Sequence, residues 1–356
     1  MSLWSISITM LTVLLGAIGV TVFGIIFGLL YKGIDRKIAA HMQGRVGPPI
    51  KQPFLDVIKL FVKENIVPDN AVPWIFNLIP VIGLVATITI LLYLPIGGFP
   101  AILDGFTTGK GDLILILYLL MIPSLALVIG GFASGSPYAS VGAQREMATM
   151  IAYEFPLAII IITLAWRLSL NQGITNTFSL ATITSNPLWS MIGPLGFIGM
   201  ILLLLTLVVV TPAELSKIPF DAPEAETEIA GGLLVEYSGR NLAMFYLADA
   251  VKTVVMGSII IALFFPYNLS PFLSIGGIPA YIIDFLFYLL KLFLVVLFAV
   301  TLVRVGVARL KIDQIVYTYW VPLTLLGLVG LICIMWDQTL MTQFHIPRIV
   351  ELLGLT

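Results

Sequence analysis

Charge is scarce in this chain: Asp, Glu, Lys and Arg supply only 10% of its 356 residues, where a soluble domain carries about 25%. Apolar residues supply 59%. Water is therefore not the main solvent of this fold. The net charge of -1 leaves no polybasic surface for nucleic acid, and no run of like charges marks a disordered tail. Cysteine is nearly absent too. The single Cys333 lies in an apolar run, which excludes a disulfide framework or a Cys-ligated iron–sulfur site within this chain. The two histidines, His41 and His345, are far apart and lack ligand spacing, so neither a metal nor a haem is expected.

What is present is a series of long runs without charge. A bilayer core of about 30 Å needs about 20 helical residues. Eight runs qualify, over 4–31, 74–95, 113–134, 147–167, 191–211, 242–265, 281–303 and 316–337. None alternates as a barrel strand does, and backbone in lipid must satisfy its own hydrogen bonds, so the runs predict helices. The first run is longer than the core of a signal peptide, has no basic residue ahead of it, and reads as a retained anchor. The expectation is an all-α integral membrane protein forming a single membrane domain over 1–356.

Basic residues set the orientation. Thirteen fall on one side: Lys32, Arg36, Lys37, Arg45, Lys51, Lys59, Lys63, Arg145, Lys217, Arg240, Arg304, Arg309 and Lys311. The other side has only Lys110, Arg167 and Arg348, which predicts both termini outside. Between the first two runs, 52–65 reads QPFLDVIKLFVKEN. It is too short and too charged to span, and it suits an amphipathic helix lying at the inner interface or packed on a soluble partner.

An ionisable side chain inside a membrane helix is costly unless paired or wet, so each one is a functional candidate. The fourth run holds Glu154, and Glu146 lies at its inner entrance eight residues earlier. That spacing is about 12 Å along the axis and puts both on roughly one face. The sixth run holds Asp249 and Lys252, three residues apart and therefore able to pair, either as a structural ion pair or as part of a relay. The seventh holds Asp284 near its outer end and Lys291 near its middle, and Lys291 has no acidic neighbour three or four residues away.

The strongest signal is 211–239, TPAELSKIPFDAPEAETEIAGGLLVEYSG. It concentrates Glu214, Asp221, Glu224, Glu226, Glu228 and Glu236 against one Lys217, on the side where basic residues are expected. Crowded, partly buried carboxylates hold protons more tightly, and some then exchange protons near neutral pH. A translocation entrance and a docking surface for a basic partner both fit this composition.

This segment closely resembles the acidic loop of the heel subunit of respiratory complex I, which joins the membrane arm to the peripheral arm. Supporting matches are IDRKIAAHMQGRVGP at 34–48, DVIKLFVKE at 56–64, AYEFPL at 152–157 and ARLKIDQ at 308–314. The resemblance covers nearly the whole chain and implies eight helices with a tilted interfacial helix after the first. The superfamily includes quinone-reducing enzymes, group 4 membrane-bound NiFe hydrogenases and ferredoxin-dependent sulfane reductases. Quinone-type members carry a longer GPNxxGPxGLLQ segment at the quinone entry, which this chain shortens to GPPIKQ at 47–52. Arg145-Glu146 in place of Arg-Ala and EYSGRNLA at 236–243 also look like the hydrogenase branch, whereas AYEFPL looks like the quinone branch.

The resemblance implies that Glu224, Glu226 and Glu228, within a loop that also contains Asp221 and Glu236, lie beneath the redox arm. It implies that Glu154, Glu214 and Asp249 line a buried path into antiporter-like subunits, with Glu146 added in this branch. Asp56, Lys59 and Lys63 would sit on the interfacial helix, and Arg309, Lys311 and Asp313 would face the peripheral arm. The function implied is a coupling subunit of a ferredoxin-oxidising hydrogenase or sulfane reductase in a prokaryotic plasma membrane. Iron–sulfur clusters, and a NiFe centre in the hydrogenase case, would reside in partner subunits, and this chain would hold no redox cofactor. A quinone-reducing heel subunit is the alternative. A stand-alone secondary transporter is a second alternative, for which an internal repeat is lacking.

Overall fold

The structure, a computed structural model, describes residues 3–103, 112–171, 173–174, 176–274, 276–343 and 347–348, with side chains from residue 10 onward. Lys110 and His345 lie outside the described residues, as do the last eight residues of the predicted membrane domain.

Among the described residues, eight helices are long and apolar enough to span a bilayer. They are Leu3–Met42, Pro73–Leu92, Asp112–Ala133, Pro137–Ser169, Pro194–Glu214, Gly239–Phe264, Ile278–Gly306 and Ile312–Gln343, referred to below as the first to eighth spans. Several outrun their charge-free cores. The first continues to Met42 rather than stopping at 31, because Lys32 ends the apolar run without breaking the backbone ladder. The fourth begins at Pro137, where proline suits the first helical turn. The stretch 304–320, which carries Arg304, Arg309, Lys311 and Asp313, is mostly helical. The seventh span ends at Gly306 and the eighth starts at Ile312, where the Lys311 backbone N–H donates to Gln314 Oε1 at 3.0 Å.

The interfacial helix is Gln52–Val62, three residues shorter than the pattern suggests. Lys63 turns extended, because Asn65 donates to Asn77 Oδ1 at 2.9 Å and the Ile66 N–H donates to Ser238 Oγ at 3.0 Å, both outside the helix. The seventh and eighth spans each contain one π-turn, Leu297–Thr301 and Tyr319–Leu323. The second surrounds Pro322, which has no N–H to give the ladder.

The sixth span is the hub, buried along almost its whole length, while the first, seventh and eighth keep broad exposed faces. It packs against the first, second and seventh spans and the interfacial helix, and the fifth span packs against the eighth. The first and sixth meet backbone to backbone: a Cβ on Gly28 would stand 2.4 Å from the Ala250 carbonyl oxygen. A carbonyl inside a helix has little room to retreat. Gly28→Ala is therefore expected to lower the stability of the assembled complex by roughly 1–3 kcal/mol, the usual cost of overpacking. A thermal-release curve for this subunit that matched wild type would mean that the crossing yields to a methyl group at no cost.

The acidic segment is folded rather than solvated. After the fifth span it forms short turns at Ala222–Glu224, Glu226–Ile229 and Gly232–Leu234. Phe220, Ala222, Ala225, Ile229, Leu233 and Tyr237 are all buried. The segment lies against the inner extension of the fourth span, where a Cβ on Gly142 would meet the Leu233 N at 2.8 Å.

Candidate functional site

The acidic segment, the C-terminal third of the first span and the C-terminal end of the seventh enclose a cavity of about 380 Å³. Its wall is almost entirely ionisable and includes Lys32, Asp35, Arg36, Lys217, Asp221, Glu224, Glu226, Asp249, Arg304 and Arg309. Arg304 holds Asp35 at 2.8 Å, and Thr301, the last residue of the π-turn, donates to the other Asp35 oxygen at 2.7 Å. Arg309 turns back onto the loop and grips both carboxylate oxygens of Asp221 while donating to Thr227 Oγ1 at 2.8 Å. Arg145 pairs with Glu228 at 2.5 Å.

At the inner end of this vestibule stands Asp249. Lys32 and Lys217 both donate to its Oδ2, at 2.6 and 2.7 Å. Lys217 keeps its proton more tightly than a free lysine: burial works to strip it, and the Asp249 charge and hydrogen bond outweigh burial. Burial pushes the Glu224 carboxyl above its usual range, with Lys217 opposing, so Glu224 holds a proton to higher pH than an exposed glutamate.

Behind this clamp a second cavity, about 60 Å³, continues between the third, fifth and sixth spans. It shares Lys217, Glu224 and Asp249 with the vestibule and ends at Glu214 and Lys252. Its volume suits about two waters, at ~30 Å³ each. Lys252 Nζ lies 2.8 Å from Glu214 Oε1, but that oxygen makes no well-aligned hydrogen bond, so the contact is one of charge. Lys252 also donates to Ser124 Oγ at 3.1 Å, and Ser124 meets the Tyr153 hydroxyl at 3.0 Å. Glu146, 2% exposed, interacts electrostatically with Lys252, Glu224 and Glu214. Glu154, half-buried, interacts with Glu214 and Lys252.

Three prolines border this line: Pro123 beside Ser124, Pro156 two residues after Glu154, and Pro212 two before Glu214. Each removes an N–H from its helix ladder and frees a carbonyl at membrane depth. Such carbonyls are tolerated where water or polar side chains can satisfy them.

The structure therefore brings together Glu146, Glu154, Glu214 and Lys252, and it links Asp249 to them through the cavity. It does not pair Asp249 with Lys252. The two are helical neighbours, but each faces a closer opposite charge from another element, Asp249 the lysines at 32 and 217, Lys252 the glutamate at 214. Lys291 is not part of the cluster. Its Nζ donates to the carbonyls of Phe265 and Tyr267, at 3.0 and 2.8 Å, beyond the outer end of the sixth span. Glu226 is exposed and Glu236 partly so. On the interfacial helix Asp56 is held by Gln52 at 2.8 Å and Arg36 at 3.3 Å, while Lys59 and Lys63 are exposed, as are Lys311 and Asp313. Sequence reasoning missed Lys32, Ser124 and Tyr153. Lys32 was hidden among the inner basic residues, and the only hint of Ser124 was its neighbouring intramembrane proline.

The family model described as NADH dehydrogenase matches residues 15–335. One subunit of the NADH-quinone oxidoreductase from Anoxybacillus flavithermus is 33% identical over 328 residues, covering 88% of this chain and 91% of that one. One subunit of the F(420)H(2) dehydrogenase from Methanosarcina mazei is 29% identical over 333 residues, with the same two coverages of 88% and 91%. A chain of a membrane-bound sulfane sulfur reductase, an archaeal respiratory membrane complex, superposes with a TM-score of 0.76 at 29% identity, over 91% of this chain and 99% of that one. With eight spans, an acidic loop between the fifth and sixth and matches along nearly its whole length, the chain belongs to the NADH dehydrogenase family, as a multi-pass membrane coupling subunit of a respiratory oxidoreductase complex.

Proposed function

We propose that this subunit couples ferredoxin oxidation, carried out by a peripheral arm that makes hydrogen or reduces sulfane sulfur, to proton or sodium translocation. The carrying observation is the series of ionisable groups from the vestibule through Lys217–Asp249 and Lys252–Glu214, with Glu146 and Glu154 within their electrostatic reach. Electrons pass through iron–sulfur clusters, and a NiFe centre in the hydrogenase case, held by hydrogenase-like and iron–sulfur partners. Those partners sit on the vestibule face, with Glu224, Glu226, Glu228, Lys311 and Asp313 beneath them. Glu154 hands charge sideways to antiporter-like subunits, and both termini lie on the outer side of a prokaryotic plasma membrane. The highly charged vestibule supports this reading over quinone binding, since small-molecule sites are lined predominantly by apolar side chains.

Glu154→Gln is expected to leave electron transfer from reduced ferredoxin to the acceptor in place and to cut ion uptake by inverted vesicles about a hundredfold, the weight of a positioned acid–base group. Vesicles that pump at the wild-type ratio would remove Glu154 from the path. Glu226→Gln separates the loop's two roles: loss of the peripheral arm on native gels marks docking, and loss of pumping with the arm retained marks a proton entrance.

The quinone alternative draws on the relatives that belong to NADH-quinone oxidoreductases. A quinone-site inhibitor is expected to leave the complex active, and potent inhibition cross-linked to this chain would replace the ferredoxin reading.

A further inference from the structure

A third cavity opens beside the end of the sixth span remote from the acidic loop, where Phe265 and Tyr267 line it. It is a groove of about 480 Å³ between the fifth, sixth and seventh spans, walled by Leu204, Val208, Ile260, Leu290, Leu294 and Phe298. Leu290 and Phe298 are 53% and 58% exposed, so the groove opens sideways, onto the lipid-facing side of the seventh span. One further wall residue, the small Ala299, belongs with Phe298 to the π-turn.

Among the described residues one charged side chain touches this groove, Lys291. Its stem runs out towards the end of the sixth span, as a snorkelling lysine does. There it meets the Phe265 and Tyr267 carbonyls and the ring of Phe287, 4.9 Å away. An ammonium has three donors, and these two carbonyls take two. Among the described residues no carboxylate forms an ion pair with it. Asp284 acts on it only at longer range and already accepts three hydrogen bonds, from Ser270 Oγ at 2.6 Å and from the Ser270 and Leu269 N–H groups at 2.8 and 3.0 Å. Lys291 also forms part of a neighbouring cavity of about 280 Å³, together with the polar residues Thr184, Ser185 and Asn268. The ammonium thus stands where an apolar groove meets a polar pocket.

A cation at membrane depth is expensive without an anion beside it, and none of the described residues supplies one within bonding distance. The missing partner must carry an anion at one end and hydrocarbon at the other. We propose that Lys291 and this groove form a binding site for an anionic phospholipid of the leaflet opposite the acidic loop. The phosphate sits on the third Lys291 N–H, as a charge-assisted hydrogen bond, and one acyl chain fills the groove towards Phe298. Basic pockets between membrane helices recruit anionic headgroups in the same way. Lys291 then acts as a lipid ligand and takes no part in the relay.

Native mass spectrometry of the intact complex, reconstituted separately with phosphatidylglycerol and phosphatidylcholine and dissociated in the gas phase, reads the adduct on this subunit. Wild type is expected to retain one phosphatidylglycerol and no phosphatidylcholine. Lys291→Gln removes the charge and should lose the adduct, Lys291→Arg should keep it, and Leu294→Trp, which fills the groove while keeping the charge, should lose it. Equal retention of both lipids, an adduct that survives Lys291→Gln and Leu294→Trp, or a subunit released from wild type without lipid would each overturn the proposal. The arginine variant guards against misassembly, because it preserves the charge at the same position.

Discussion

Asp249→Asn is expected to stop ion translocation while the complex still assembles, lowering uptake in inverted vesicles by about a hundredfold or more. The reason is the double clamp: one carboxylate oxygen accepts both Lys32 and Lys217. An asparagine retains an acceptor oxygen but removes the one negative charge that the two ammonium groups share. The lysines then repel one another where the vestibule meets the inner cavity, beside Glu224. Asp249→Glu keeps the charge and should recover part of the transport. If the asparagine variant pumped normally, the clamp would be structural and the path would have to bypass it.

Lys252→Met carries the largest expected cost in stability. It strands Glu214, whose side chain is 2% exposed, without its counter-charge. Removing one partner of a buried pair typically costs about 3–5 kcal/mol, whereas replacing both partners by apolar residues is often neutral. The double variant Lys252→Met with Glu214→Leu should therefore regain most of the stability lost by the single one, measured as the temperature at which this subunit leaves the purified complex. It should nevertheless fail to translocate ions, since two relay groups are gone. Equal destabilisation by the single and double variants would mean that Glu214 and Lys252 do not interact energetically.

The membrane architecture was legible in the sequence because a bilayer imposes a long charge-free run on each span. The ends were less legible, since a charge such as Lys32 ends hydrophobicity without ending a helix. The acidic segment stood out by composition, and its glutamates at 224 and 226 do line the vestibule. Which charge meets which did not follow. Asp249 and Lys252 satisfy the three-residue spacing of a helical pair, yet spacing within one helix says nothing about a lysine delivered from the first span or from the loop. Ser124 and Tyr153 escaped notice for a related reason: an uncharged hydroxyl leaves no mark on hydropathy, and its value lies in its partner, Lys252 for Ser124 and Ser124 for Tyr153.

The first span, 40 residues in one helix, is about 60 Å long, twice the ~30 Å hydrocarbon core. Such a rod behaves as a lever. Its fulcrum is the tight crossing at Gly28, and its short arm carries Lys32 roughly 6 Å beyond. A tilt of about 10° moves that ammonium by ~1 Å and stretches its 2.6 Å bond to Asp249 past the ~3.5 Å reach of a hydrogen bond. A push from a neighbouring subunit on Arg36 or on the interfacial helix it holds through Asp56 would then be felt first as a loosened lysine at Asp249, a mechanical input converted into a change of charge pairing.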